Sequence, residues 1–154
     1  MKITPYMRAK RAFKNTDCFE LRASIPDELA SLLSSQLSLD SVIGCYANGL
    51  VGSSFNSLVV LTEECICVFR STEFIRVLYS DILEVRFPGG SVEKNIDAKS
   101  LEIVCGNSDV IELPVEGGNS MLGTRDTFTM SAFLDHVIGD IARNNEQVAR
   151  QSDS

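Results

Sequence analysis

Apolar positions along the 154-residue chain change period twice. Leu29, Leu32, Leu33 and Leu37 recur three and four residues apart, the spacing of one helix face. Ser24, Pro26, Asp27 and Glu28 precede that stripe as cap, early-helix proline and two acids at the positive end of the dipole, so a helix is predicted over 25–38. From residue 42 the pattern is short and strand-like: 42–47, 58–61, 65–69, 73–78, 82–87, 101–105 and 110–113. Asn48-Gly49, Gly52-Ser53-Ser54, Glu63-Glu64, Ser71-Thr72, Pro88-Gly89-Gly90 and Gly106-Asn107 break the runs. Phe128, Phe133, Leu134, Val137, Ile138 and Ile141 then restore the helical period, predicting a last helix over 126–143 and a polar tail over 144–154.

A helix, about seven short strands with tight connections and a closing helix make an α+β, mainly β, domain. Seven antiparallel strands can curl into a partly open barrel, and the apolar stripe of the last helix suits it to cap the open end. The expected organisation is a basic N-terminal arm over 1–23, a domain over 24–143 and the tail.

Charge sharpens this division. Residues 1–25 hold six basic and two acidic residues, a balance of +4; the rest hold eight basic and nineteen acidic, −11. An acidic body is a poor match for nucleic acid, whose phosphates call for clustered Lys and Arg. The arm has three readings: it docks on its own body, it reaches a phosphate-bearing surface, or it is simply solvated. Arg8, Lys10, Arg11 and Lys14 are its candidate binding residues, with Phe13 as the side chain that would insert in lipid.

Several strand segments resemble pleckstrin-homology-like (PH-like) domains, in particular the small bacterial ones related to the GRAM group. The stretch Val59-Val60-Leu61-Thr62-Glu63-Glu64-Cys65-Ile66 is similar to their first aliphatic strand, Leu-Thr, polar turn and second strand. Leu78-Tyr79-Ser80-Asp81-Ile82-Leu83-Glu84-Val85 is similar to their aliphatic-x-Tyr-x-Asp-Ile-x-x-Val segment, and Leu101 to Leu113 to a later hairpin. The resemblance spans residues 25–143; its motifs are structural rather than catalytic, so it speaks to the fold and almost not at all to the function. Cys65 stands where such domains often carry Arg, and the loop Asn48–Ser57 has no Lys or Arg, so the resemblance does not carry phosphoinositide headgroup binding to this chain.

Candidate chemistry is sparse. Cys65 and Cys67 fall on one face of a strand with Ile66 and Val68 on the other, the pattern of a strand covered on both sides. Their spacing is not the Cys-x-x-Cys of a zinc loop, and five cysteines without a disulfide framework read as packed thiols in a reducing cytoplasm. His136 stands beside Val137 with no nucleophile motif and reads as a surface or half-buried helix residue. Gly89-Gly90 and Gly117-Gly118 lack the features of phosphate loops. The expectation is therefore no catalytic residue, metal or cofactor, and a protein partner, basic in character, bound at an open strand edge or beside the last helix. Inhibitor or immunity-type masking and self-association are two forms of that function; membrane contact through the arm is the alternative.

Overall fold

The structure is a computed structural model that describes residues 2–14, 16, 18–21, 27–49, 56–70, 73–88, 98–118 and 125–152. The α+β, mainly β class holds. Among the described residues the order is α1 (Pro5–Ala12), β1 (Phe19–Leu21), α2 (Asp27–Ser34), β2 (Val42–Asn48), β3 (Ser57–Thr62), β4 (Cys65–Arg70), β5 (Glu73–Leu78), β6 (Ile82–Arg86), β7 (Ser100–Cys105), β8 (Val110–Pro114) and α3 (Asp126–Ser152). The seven expected strands are β2 to β8, and β1 in the arm is an eighth. They form two antiparallel sheets, β1-β2-β3-β4-β5 and β6-β7-β8, and the barrel is not closed. Ser24 and Pro26, expected to start the leading helix, lie outside the described residues.

β2, β3 and β4 are buried on both faces, which is why their sequences run apolar without alternation. On one face Tyr46, Val59, Leu61, Ile66 and Val68 join the main core, which β6, β7, β8 and α3 complete through Ile82, Leu101, Ile103, Leu113, Met130, Phe133 and Val137. On the other face Cys45, Leu58, Val60, Cys65, Cys67 and Phe69 form a second cluster with Leu33 of α2, and Leu37, Leu39 and Phe74 pack against it. β7 alternates buried and half-buried side chains, as a strand with a single core face does.

The arm is built into the body. Thr4 caps α1, its hydroxyl accepting from the Met7 N–H at 3.3 Å, and Pro5 starts it. Ala9 and Phe13 are buried in the main core. Phe13 stacks on Phe19 at 4.4 Å between ring centres and meets Phe133 of α3 at 5.5 Å. β1 reaches β2 closely because Gly44 has no side chain: a Cβ there would fall 2.6 Å from the Phe19 ring and from the Glu20 carbonyl. The last helix runs to Ser152, past the expected end at 143. Its outer turns carry Ala, Arg, Glu and Gln, good helix formers that need no core contact to stay helical.

Candidate functional site

Each sheet ends in a strand edge that no other described strand covers, and two of these edges, β5 and β8, flank one groove. Ile75, Arg76 and Val77 line it from β5, Ile111 from β8, Cys105 from the end of β7, and Asp81, Gly106, Asn107 and Asp109 from the turns at its end. Its volume is about 440 Å³. Val77 and Cys105 belong to the main core, and Ile75 and Ile111 pack against it, so the groove has an apolar floor. Asp81 and Asp109 stand at its rim.

Both ends of the groove are tied. At one end the Gly106 N–H donates to the Asp81 carbonyl at 2.9 Å. At the other, Arg70 at the end of β4 pairs with Glu112 of β8 at 3.2 Å. Residues 114–116, at the end of the β8 edge, are taken by Asn48 of β2. Its Nδ2 donates to the Pro114 carbonyl at 2.8 Å, and its Oδ1 accepts from the Glu116 N–H at 2.7 Å. Asn48 thus does for residues 114–116 what a neighbouring strand would do.

The thiols behave as buried small hydrophobes. Cys65 and Cys67 share a face as the alternation requires, with Sγ atoms 3.8 Å apart, and both lie in the second cluster with Cys45. No disulfide joins the five cysteines to one another. Burial pushes the thiols of Cys45 and Cys67 up to about 12, which suppresses the thiolate that nucleophilic or metal chemistry needs. Among the described residues no group of three or more His, Cys, Asp and Glu is placed to hold a metal ion. His136 is exposed on α3. The neighbouring Asp135 carboxyl is raised by desolvation, an effect His136 opposes.

A buried polar pair stands where β2 meets the start of α3. Tyr46, fully buried, donates to Asp126, and the Gly117 N–H donates to the same hydroxyl at 3.0 Å. A Cβ at Gly117 would lie 2.5 Å from the Tyr46 oxygen, so only glycine admits the pair. Desolvation, then the bond to Asp126, pushes the Tyr46 phenol far above its ordinary value. This holds the hydroxyl as a neutral donor and suits a structural tie between helix and sheet.

The four cations expected to bind divide. Arg8 is turned inward: its Nε and Nη2 grip the two carboxylate oxygens of Asp140 on α3, each at 2.9 Å, and Arg143 bonds the same carboxylate. Lys10, Arg11 and Lys14 are exposed. Lys10 and Lys14 flank a depression of about 200 Å³ floored by Ala9, Phe13 and Phe19. Phe13, the side chain that would insert in lipid under the membrane alternative, is instead 4% exposed in the core, because its ring fills the space between Phe19 and Phe133. No described helix is long and apolar enough to cross a membrane.

Comparison with protein-family models, with curated proteins and with solved structures finds no match to this chain.

Proposed function

We propose that this chain is a non-catalytic protein-binding module on a PH-like scaffold, which holds an extended segment of its partner in the groove between β5 and β8. The observation that carries this reading is the meeting, over an apolar floor, of two strand edges that no other described strand covers. Backbone edges supply hydrogen bonds to any extended chain, and the floor supplies burial, the two components of strand addition. The scaffold reading is supported by the order of seven of the eight described strands, β2 to β8, followed by the helix α3 packed on them. The −11 balance of residues 26–154 favours a basic partner, and masking of such a partner is the form of activity the charge supports. Five cysteines with no disulfide among them fit a reducing, cytoplasmic setting.

The test is selection of random peptides of roughly 12 residues against the immobilised full-length chain, followed by solution anisotropy of the enriched sequences. Enriched peptides with Kd below ~100 μM support the reading. No enrichment over the bare support overturns it.

A second reading has one observation in its favour, the exposure of Lys10, Arg11 and Lys14 together at the N-terminus. It assigns the arm to an anionic surface, held by charge without an inserted aromatic. Sedimentation with vesicles of neutral and anionic lipid checks it: binding confined to anionic vesicles and lost at high salt supports it, and no binding to either removes it.

A further inference from the structure

Backbone pairing fixes which peptide groups of β5 and β8 face the groove. The Tyr79 N–H donates to the Glu64 carbonyl at 3.0 Å, one pair beyond the Cys65–Leu78 register. Antiparallel pairs alternate between bonded and unbonded, so Val77 and Ile75 turn their backbone groups toward β4. Arg76 and Phe74 turn theirs away, to the open edge. In the other sheet the Cys105 N–H donates to the Asp109 carbonyl and the Val115 N–H to the Lys99 carbonyl, both at 2.9 Å. By the same alternation Ile111 and Leu113 face β7, while Val110, Glu112 and Pro114 face outward. The bond from Asn48 to the outward Pro114 carbonyl agrees with this phase. With residues 114–116 taken by Asn48, the outward groups left on β8 are those of Val110 and Glu112, beside Phe74 and Arg76 of β5.

Three residues of open edge on each side span about 10 Å, room for three to four residues of extended chain. The floor side chains are Ile75, Val77 and Ile111, which pack best against other β-branched residues. The rim carries Asp81, Asp109 and Glu112 against Arg76, and Glu112 is already engaged by Arg70. Asp109 keeps one carboxylate oxygen for Asn107 at 2.9 Å. Desolvation, then Asp109 and Asp81, raises the Cys105 thiol, so both carboxylates bear on one spot at the turn end of the groove.

We infer that the groove takes an extended segment of alternating β-branched residues, paired with Phe74–Arg76 on one side and Val110–Glu112 on the other, that places a Lys or Arg between Asp81 and Asp109. This rests on the protein-binding reading and names the ligand class of that site.

The probe is the heptapeptide acetyl-Thr-Val-Lys-Val-Thr-Val-Lys-amide, titrated into the full-length ¹⁵N-labelled chain, with a counterpart carrying Glu for both Lys. Amide shifts confined to residues 73–81 and 105–112 are expected, with the Glu peptide at least about tenfold weaker. Arg76→Pro removes an outward N–H that the ladder to β4 does not use, so the strand tolerates it and the peptide loses at least about tenfold in affinity. The pair Asp81→Asn and Asp109→Asn keeps the fold through isosteric change; it weakens the Lys peptide and leaves a Ser-substituted peptide unaffected. If Arg76→Pro does not fold, this second variant decides. Shifts elsewhere, no shift at about 1 mM peptide, or unchanged affinity in the folded variants overturns the inference. Selected peptides that bind another surface would leave the protein-binding function standing while this site fails; no selected peptide at all would remove that function first.

Discussion

The Tyr46 hydroxyl donates to Asp126 Oδ2 at 2.5 Å, across 80 positions of sequence. That bond joins the middle of β2 to the first turn of α3, where Asp126 also sits at the positive end of the helix dipole. Tyr46→Phe leaves a carboxylate, in a residue 7% exposed, without its phenol donor and the Gly117 N–H without its acceptor. A cost of about 2–3 kcal/mol is expected in urea unfolding, since bonds to charged groups exceed neutral ones and the stranded groups stay buried. A change below ~0.5 kcal/mol would mean that the helix is held by apolar packing alone.

The second cluster makes the fold sensitive to alkali. Burial lifts the Cys45 and Cys67 thiols from 9.0 to about 12. A folded-state value above the unfolded one gives stability that is complete below the unfolded value and is lost as pH rises toward the folded one. Stability under reducing conditions should therefore hold to about pH 8 and fall between about pH 9 and 12, at up to ~1.4 kcal/mol per pH unit for each thiol. Tyr46 and Tyr79, also raised by desolvation, add to the fall at its upper end. Cys67→Ala should cost about 1 kcal/mol at neutral pH and flatten the alkaline slope. Denaturant titrations across pH, with equal slopes for the two proteins, would count against it.

Phe13 decides whether the arm belongs to the fold. It lies between Phe19 and Phe133 at 4% exposure, so Phe13→Ala should cost about 3–5 kcal/mol, the range for a large aromatic removed from a core. Charge reversal of Lys10, Arg11 and Lys14, all exposed, should move stability by no more than ~0.5 kcal/mol each. Thermal and urea unfolding of both variants provide the check. Equal small effects would return the arm to the status of a loose appendage.

These arm contacts mark the limit of what the sequence discloses. Residues 58–61, 65–69, 73–78 and 101–105 read as strands because each is a compact apolar run between polar breaks, and all of them are strands. The two-sided burial of β4 was legible in Cys65-Ile66-Cys67-Val68 by alternation alone. The arm was less so: α1 and the turn after it present Ala9 and Phe13 among four cations, a stripe too thin to register as periodicity, and β1 is three residues long. Asn48 reads locally as a turn residue, yet its amide works across 66 positions to cover the Pro114 end of the β8 edge. The groove has no sequence signature, because Ile75 and Ile111 look like any other strand residues until topology sets the edges of two sheets beside each other.

Arg8 and Asp140 supply a last prediction. The guanidinium grips both carboxylate oxygens at 2.9 Å, with side chains 19% and 12% exposed, and ties α1 to α3. The hydrogen bond from Arg8 first, and that from Arg143 after it, hold the Asp140 carboxyl below its ordinary range. A depressed folded value gives stability that is present above the unfolded value and is lost as pH falls through the folded one. Arg8→Met keeps most of the apolar stem and removes the fork, so at neutral pH it should lower stability measurably. The difference from the unaltered protein should shrink once pH falls below about 4, where the carboxylate begins to protonate in the unfolded chain. Asp140→Asn should cost a similar amount at neutral pH and remove most of that acid dependence. Urea unfolding at neutral pH and in acid measures all three proteins. A deficit in Arg8→Met that stays constant down to pH ~3 would show that Arg8 contributes through its stem rather than its charge.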